Sequence, residues 1–152
     1  MVNRNQKGKR VEREIAKLLT KATGDDWNRV LNSGGYATAT GTEEGRFRGD
    51  VFSDDWPSYC IEVKSTKDNI SLSHFFSKKS KVNKYIKQAV DESGDATPVL
   101  FVKINHRGTY IFFNEEDEPH AEEILRDMDT EDDFLVFWCE EYDKPWTVIK
   151  VK

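Results

Sequence analysis

The sequence predicts an α/β domain built around one mixed sheet flanked by helices, and three features carry that expectation. An amphipathic helical stretch lies near the start, strongly apolar strand-like runs fill the middle and the end, and a second amphipathic stretch separates two groups of those runs. At 152 residues the chain has the size of one domain, large enough to bury a core without disulfides or structural metals. We expect a single unit over residues 1–152, with a core over 1–113 and an acidic α-β-β extension over 114–152.

The first helix is predicted from V-E-R-E-I-A-K-L-L-T-K-A, where Val11, Ile15, Leu18, Leu19 and Ala22 form one apolar stripe and Gly24 ends the helix. Glu12 falls on the edge of that stripe and can face inward, while Arg13 and Lys17 point to solvent. A short strand follows over 27–31. The glycine- and threonine-rich stretch up to Asp50 has no period and reads as a loop carrying Tyr36, Arg46, Phe47 and Arg48. A short strand at 50–52, a turn at 53–57 and a clear strand at 58–66 make a hairpin. Strand alternation sets Tyr59, Ile61 and Val63 on one face and Cys60, Glu62 and Lys64 on the other. A second helix over 80–92 turns Val82, Tyr85, Ile86 and Val90 inward and its lysines outward. Two apolar strands at 97–105 and 109–114 join through His106-Arg107-Gly108, an acidic helix occupies about 119–128, and strands at 134–142 and 146–152 complete the order.

Charge is unevenly spread. Residues 1–90 carry 17 Lys+Arg and 11 Asp+Glu, a balance of +6, whereas residues 91–152 carry 6 and 17, a balance of −11. The basic half suits a polyanionic partner despite the net charge of −5. No apolar run is long enough to span a bilayer and no secretory leader is visible, so an intracellular, cytoplasmic location is expected with no membrane partner. Cys60 and Cys139 lie in separate strand-like runs and read as buried free thiols. His74, His106 and His120 lack zinc-ligand spacing, and neither a nucleophile elbow, a Rossmann fingerprint nor a phosphate-binding lysine loop is present.

The chemistry-bearing residues converge elsewhere. The hairpin brings Asp50 close to Glu62, and two carboxylates suit Mg²⁺ or Mn²⁺, with the Val63 carbonyl as a further oxygen ligand. Lys64 shares the Glu62 face about 6.5 to 7 Å along the strand, where an ammonium could orient or deprotonate water and support charge growing on a phosphate. Each part alone is ordinary: a Glu-x-Lys strand is usually an ion pair and a Gly-Asp pair usually a turn.

In combination these residues resemble the PD-(D/E)-x-K nucleases, and within them the archaeal-type Holliday junction resolvases. The matching parts are Lys7-Gly8-Lys9-Arg10-Val11-Glu12 for the K-G-x-x-x-E opening of the first helix, Ser33-Gly34, then Asp50, then Glu62-Val63-Lys64-Ser65. They span roughly residues 5–113. The resemblance implies a restriction-endonuclease-like fold and a metal-dependent endonuclease that resolves four-way DNA junctions in recombination and repair. It implies Glu12, Asp50 and Glu62 as metal ligands, Lys64 acting on the water, and Ser33 at the scissile phosphate; Ser33 is equally suited to satisfying its own loop backbone. Gly49 stands where the family carries proline, which predicts a looser Asp50. The loop from Ser33 to Asp50 is also longer than the family's.

Phosphate contacts are expected from Lys7, Lys9, Arg10, Arg46 and Arg48, which lie in the basic half. Gln88, on the second helix, reads as a solvated side chain in a place where related nucleases sometimes put a site residue. Two incisions in one junction call for a homodimer, and the apolar residues Ile111, Phe112, Phe113, Phe134, Val136, Phe137 and Trp138 exceed what one sheet edge readily buries. Three alternatives stay open from sequence: a restriction-like or branched-DNA repair nuclease on the same fold, a non-catalytic DNA-binding protein on the same scaffold, and a protein-interaction module using the acidic half.

Overall fold

Helix α1 (Arg4–Thr23) starts one and a half turns or more before the apolar stripe that predicted it. Its first turns, N-Q-K-G-K-R, are polar and have no core to face, so they leave no apolar period to read. The computed structural model describes residues 4–31, 49–67, 81–139 and 142–152, and Ser33, Arg46, Arg48 and His74 lie outside them. Gly24 ends α1 at φ +78°, its amide donating to the Thr20 carbonyl at 2.9 Å, a glycine C-cap as expected.

The strands are β1 (Asn28–Arg29), β2 (Val51–Phe52), β3 (Tyr59–Thr66), β4 (Thr97–Ile104), β5 (Gly108–Asn114), β6 (Thr130–Cys139) and β7 (Lys144–Val151). Among the described residues they form one seven-stranded sheet in the order β1-β2-β3-β4-β5-β7-β6. β3 and β4 run parallel, with Glu62 opposite Leu100, because helix α2 (Lys81–Ser93) crosses between them; the other neighbours are antiparallel. After a 3₁₀ turn, helix α3 (Glu118–Leu125) leads into β6 and β7, which extend the same sheet.

Two cores result, one on each face. Val11, Ile15 and Leu19 of α1 and Ala121 and Ile124 of α3 pack on Ile61, Val63, Phe101 and Ile111. Val82, Ile86 and Ala89 of α2 pack on the opposite face with Leu100, Val102, Phe112, Phe137 and Trp146. Consecutive residues of β4 thus alternate between the cores, which explains a strand apolar at nearly every position. The expected alternation of β3 holds, with Ile61 and Val63 on the α1 side and Glu62 on the α2 side. Cys60 and Cys139 are buried thiols that share no disulfide.

The apolar surplus divides sharply. Ile111, Phe112, Phe113 and Phe137 are buried within this one chain, whereas Phe134, Val136 and Trp138, on the other face of edge strand β6, remain 65%, 40% and 51% exposed. β6 also begins at Thr130 instead of Phe134. Its first turn of strand is Glu131-Asp132-Asp133, an acidic run that hid it from a hydrophobicity reading, and the pairing register shifts there between Thr130 and Phe134. No helix among the described residues is long and apolar enough to cross a membrane.

Candidate active site

Where β3 passes the short β2, its next residues extend beyond the partner strand, and the space left open is a polar cavity of 370 Å³ between α1, α2 and the sheet. Glu12 enters it from α1, Asp50 from the start of β2, and Glu62 and Lys64 from β3. Four residues separated by more than fifty positions in sequence thus meet because the hairpin, the helix and the sheet edge converge.

Asp50 is pinned. Its amide donates to the Ile61 carbonyl at 2.8 Å, its carbonyl accepts from the Val30 amide at 2.8 Å, and its Oδ2 accepts from the Val63 amide at 2.8 Å. Gly49 is what permits this. It sits at φ +79°, and a Cβ there would lie 2.5 Å from the Ile61 carbonyl oxygen. Proline, fixed near φ −65°, could not adopt this backbone. The expectation that glycine in place of proline loosens the aspartate is therefore corrected: here the acid is fixed by backbone hydrogen bonds. Since the N–H and C=O of one strand residue point the same way, the Val63 carbonyl faces the Asp50 side along with its amide.

Glu62 is 1% exposed. Its Oε1 pairs with the Lys64 ammonium at 3.2 Å, and its Oε2 is buried without a hydrogen-bond partner among the described residues. Burial, then the charge of Asp50, then Glu92 push its carboxyl up to about 9, with Lys64 opposing. Lys64 itself lies 5.9 Å from the centre of the Tyr85 ring on α2. Glu12 is held by Arg29, whose Nε donates to Oε2 at 2.6 Å. Its carboxyl is raised, chiefly by burial, with the Arg29 hydrogen bond opposing and the Asp50 charge adding.

Sequence reasoning missed Glu92. It follows Gln88 by one helical turn on α2, accepts a hydrogen bond from the Gln88 amide at 3.0 Å, and faces Glu62 across the cavity. The i, i+4 spacing of Gln88 and Glu92 beside a predicted inward stripe was the available signal. Gln88 is exposed, as expected of a solvated glutamine, yet it also lines the cavity. Of the phosphate-contact candidates, Lys7 and Lys9 flank the cavity-lining Gly8 on α1, and Arg10 pairs with Glu14 at 3.4 Å on an exposed surface.

The donor set suits a hard divalent cation, since every side chain offered is a carboxylate and one buried oxygen is unsatisfied. Among the described residues, no three acidic, histidine or cysteine side chains stand in an arrangement that would itself hold an ion. Arg29 accounts for Glu12 and the Val63 amide for one oxygen of Asp50, so these acids are engaged by protein donors.

Comparison with known proteins agrees with this architecture. The family model described as "Phage putative PDDEXK endonuclease" matches residues 3–136. Protein D14 of Escherichia phage T5 is 30% identical over 131 residues, covering 82% of this chain and 78% of its own length. No solved structure gives a significant match. The matched span takes in α1, the Asp50 hairpin, Glu62-Val63-Lys64 and α2, so this chain belongs to the phage PDDEXK endonuclease family.

Proposed function

We propose that the chain is a divalent-metal-dependent endonuclease that hydrolyses phosphodiesters in branched DNA, four-way junctions above all, as a homodimer. The observation that carries the catalytic part is Glu62, buried with one oxygen unsatisfied, ion-paired to Lys64 and set against Asp50. Placing a carboxylate there costs folding energy, and a site that needs its charge is the physical reason to retain it. The four-way junction is suggested by the K-G-x-x-x-E, Ser-Gly and E-x-K-S pattern shared with the archaeal-type resolvases.

In this reading Asp50, Glu62, Glu12 and the Val63 carbonyl hold Mg²⁺ or Mn²⁺, which when bound supplies charge neutralisation and an acidified water. Holding the ion calls for Glu12 to leave Arg29, and Arg29 is then available to a phosphate. Asp50, fixed by three hydrogen bonds, sets the position of the site, and Glu12 and Glu62 would supply the other side-chain oxygens to the ion. Lys64 holds or moves a proton at its Nζ and balances negative charge at the reacting phosphate. Ser33, Arg46 and Arg48 join Lys7, Lys9 and Arg10 as proposed DNA contacts.

The test compares labelled four-way junction, flap and linear duplex with Mg²⁺, Ca²⁺ or chelator. The expected result is paired incisions in the junction with Mg²⁺, 5′-phosphate ends, and binding without cleavage in Ca²⁺. Equal cutting of linear duplex would replace junction resolution by a general nuclease activity, and undiminished cutting in chelator would overturn the metal site.

A further inference from the structure

A second, larger concavity of 790 Å³ lies outside the catalytic cavity, between the outward face of α1 and the β1–β2 pair. Among the described residues its lining contains four cations, Arg13, Lys17, Lys21 and Arg29, and no acid. Arg13, Lys17 and Lys21 follow one another at i, i+4 and i+8, so they stand in a row about 6 Å apart along one helix face. None of the three has an ion-pair partner among the described residues. Elsewhere on the same helix the pattern differs: Glu14 takes both Arg10 and Lys103, at 3.4 and 2.6 Å. A row of uncompensated cations along one helix face is complementary to a polyanion.

Apart from Thr20 and Asn28, the remaining described lining is apolar. Leu31 is 67% exposed and Phe52 half-buried, with Ala16 and Thr20 small enough to leave room between the cations. A duplex keeps the faces of its bases stacked inside and has none to lay on that apolar surface, whereas a single strand brings both phosphates and unstacked bases. The groove also adjoins the catalytic cavity, because Arg29 lines the groove while bonding Glu12, which lines the cavity. We infer that this groove binds a single-stranded DNA segment and leads it past the cleavage site, an inference that rests on reading the chain as a DNA nuclease. It gives the enzyme a physical means of preferring branched DNA, whose arms or crossover strands offer unpaired nucleotides.

The test uses the full chain in chelator, so that binding is read without cleavage. Fluorescence anisotropy is measured with labelled oligo(dT) and with a blunt linear duplex, for the wild type, for R13Q/K17Q/K21Q, and for Leu31→Ser. The triple variant changes solvated side chains only, and circular dichroism checks its fold. The expected result is at least a tenfold loss of oligo(dT) affinity, a salt slope reduced by about 2 for three lost phosphate contacts, and less than a threefold change for duplex. Leu31→Ser is expected to weaken oligo(dT) alone. Unchanged oligo(dT) binding, or equal losses for both DNAs, overturns the inference. If oligo(dT) binding depends on the row but the protein cuts no branched DNA, the groove stands and the proposed activity fails.

Discussion

Burying the Glu62 carboxyl beside Asp50 and Glu92 makes its proton part of the folding equilibrium. Unfolded, the group titrates near 4.5; folded, near 9. Between those values the native state keeps a proton that the unfolded chain has released, so stability is full below about 4.5 and declines as pH rises toward 9. Glu12, also raised, acts in the same direction, and Lys64 opposes it at Glu62. The melting temperature of metal-free protein is therefore expected to fall from pH 5 to 9, by about 2–4 °C for each ~1 kcal/mol lost. Glu62→Gln should flatten that fall and Glu92→Gln should move it to lower pH; a wild-type profile level across this range would remove Glu62 from the account. In cleavage assays, Asp50→Asn, Glu62→Gln and Lys64→Ala are each expected to reduce turnover by at least 100-fold, the scale of losing one charge-stabilising group, with DNA binding retained. Two of the three cutting at the wild-type rate would refute the assignment.

At the scale of elements, the site depends on a junction between a two-residue strand and its neighbour. Gly49 allows β2 to approach β3 closely enough for Asp50 to take the Ile61 and Val63 backbone groups. Gly49→Ala forces a Cβ against the Ile61 carbonyl at positive φ and is expected to cost about 1–3 kcal/mol. Gly49→Pro, which restores the residue type of the wider superfamily, is expected to be worse, because its ring excludes φ +79°. Thermal melts of both variants decide this, and a Gly49→Pro protein as stable as wild type would show that the close approach is dispensable.

The whole molecule ends in an edge strand with a bare apolar face. α3 covers β5 and leaves Phe134, Val136 and Trp138 of β6 open, an arrangement that soluble proteins usually blunt or cover. A second copy of the chain across a two-fold axis would cover that face and supply the second active site that paired incisions need. Sedimentation at micromolar concentration is expected to give a dimer for the wild type and a monomer for F134K/W138K, the variant nicking single strands instead of cutting in pairs. A monomeric wild type would move the function toward one-strand nicking.

Sequence by itself determined what depends on local period and adjacency. The α1 stripe, the alternation of β3 that puts Glu62 beside Lys64, the glycine stop at residue 24 and the order of helices and strands all follow from spacing along one element. The acidic start of β6 and the polar start of α1 escaped it, because neither carries an apolar signal. Only the tertiary structure decided how Asp50 is held, since its bonds go to the backbone of Val30, Ile61 and Val63, none of them a neighbour in sequence. The same is true of Glu92, a polar helix residue until α2 is laid across β3, and of the split in the C-terminal aromatics, which depends on how far α3 reaches over the sheet. The cation row of Arg13, Lys17 and Lys21 was legible as a solvent face; that it lines a groove beside the catalytic cavity follows from β1 and β2 folding back against it, a contact no local pattern encodes.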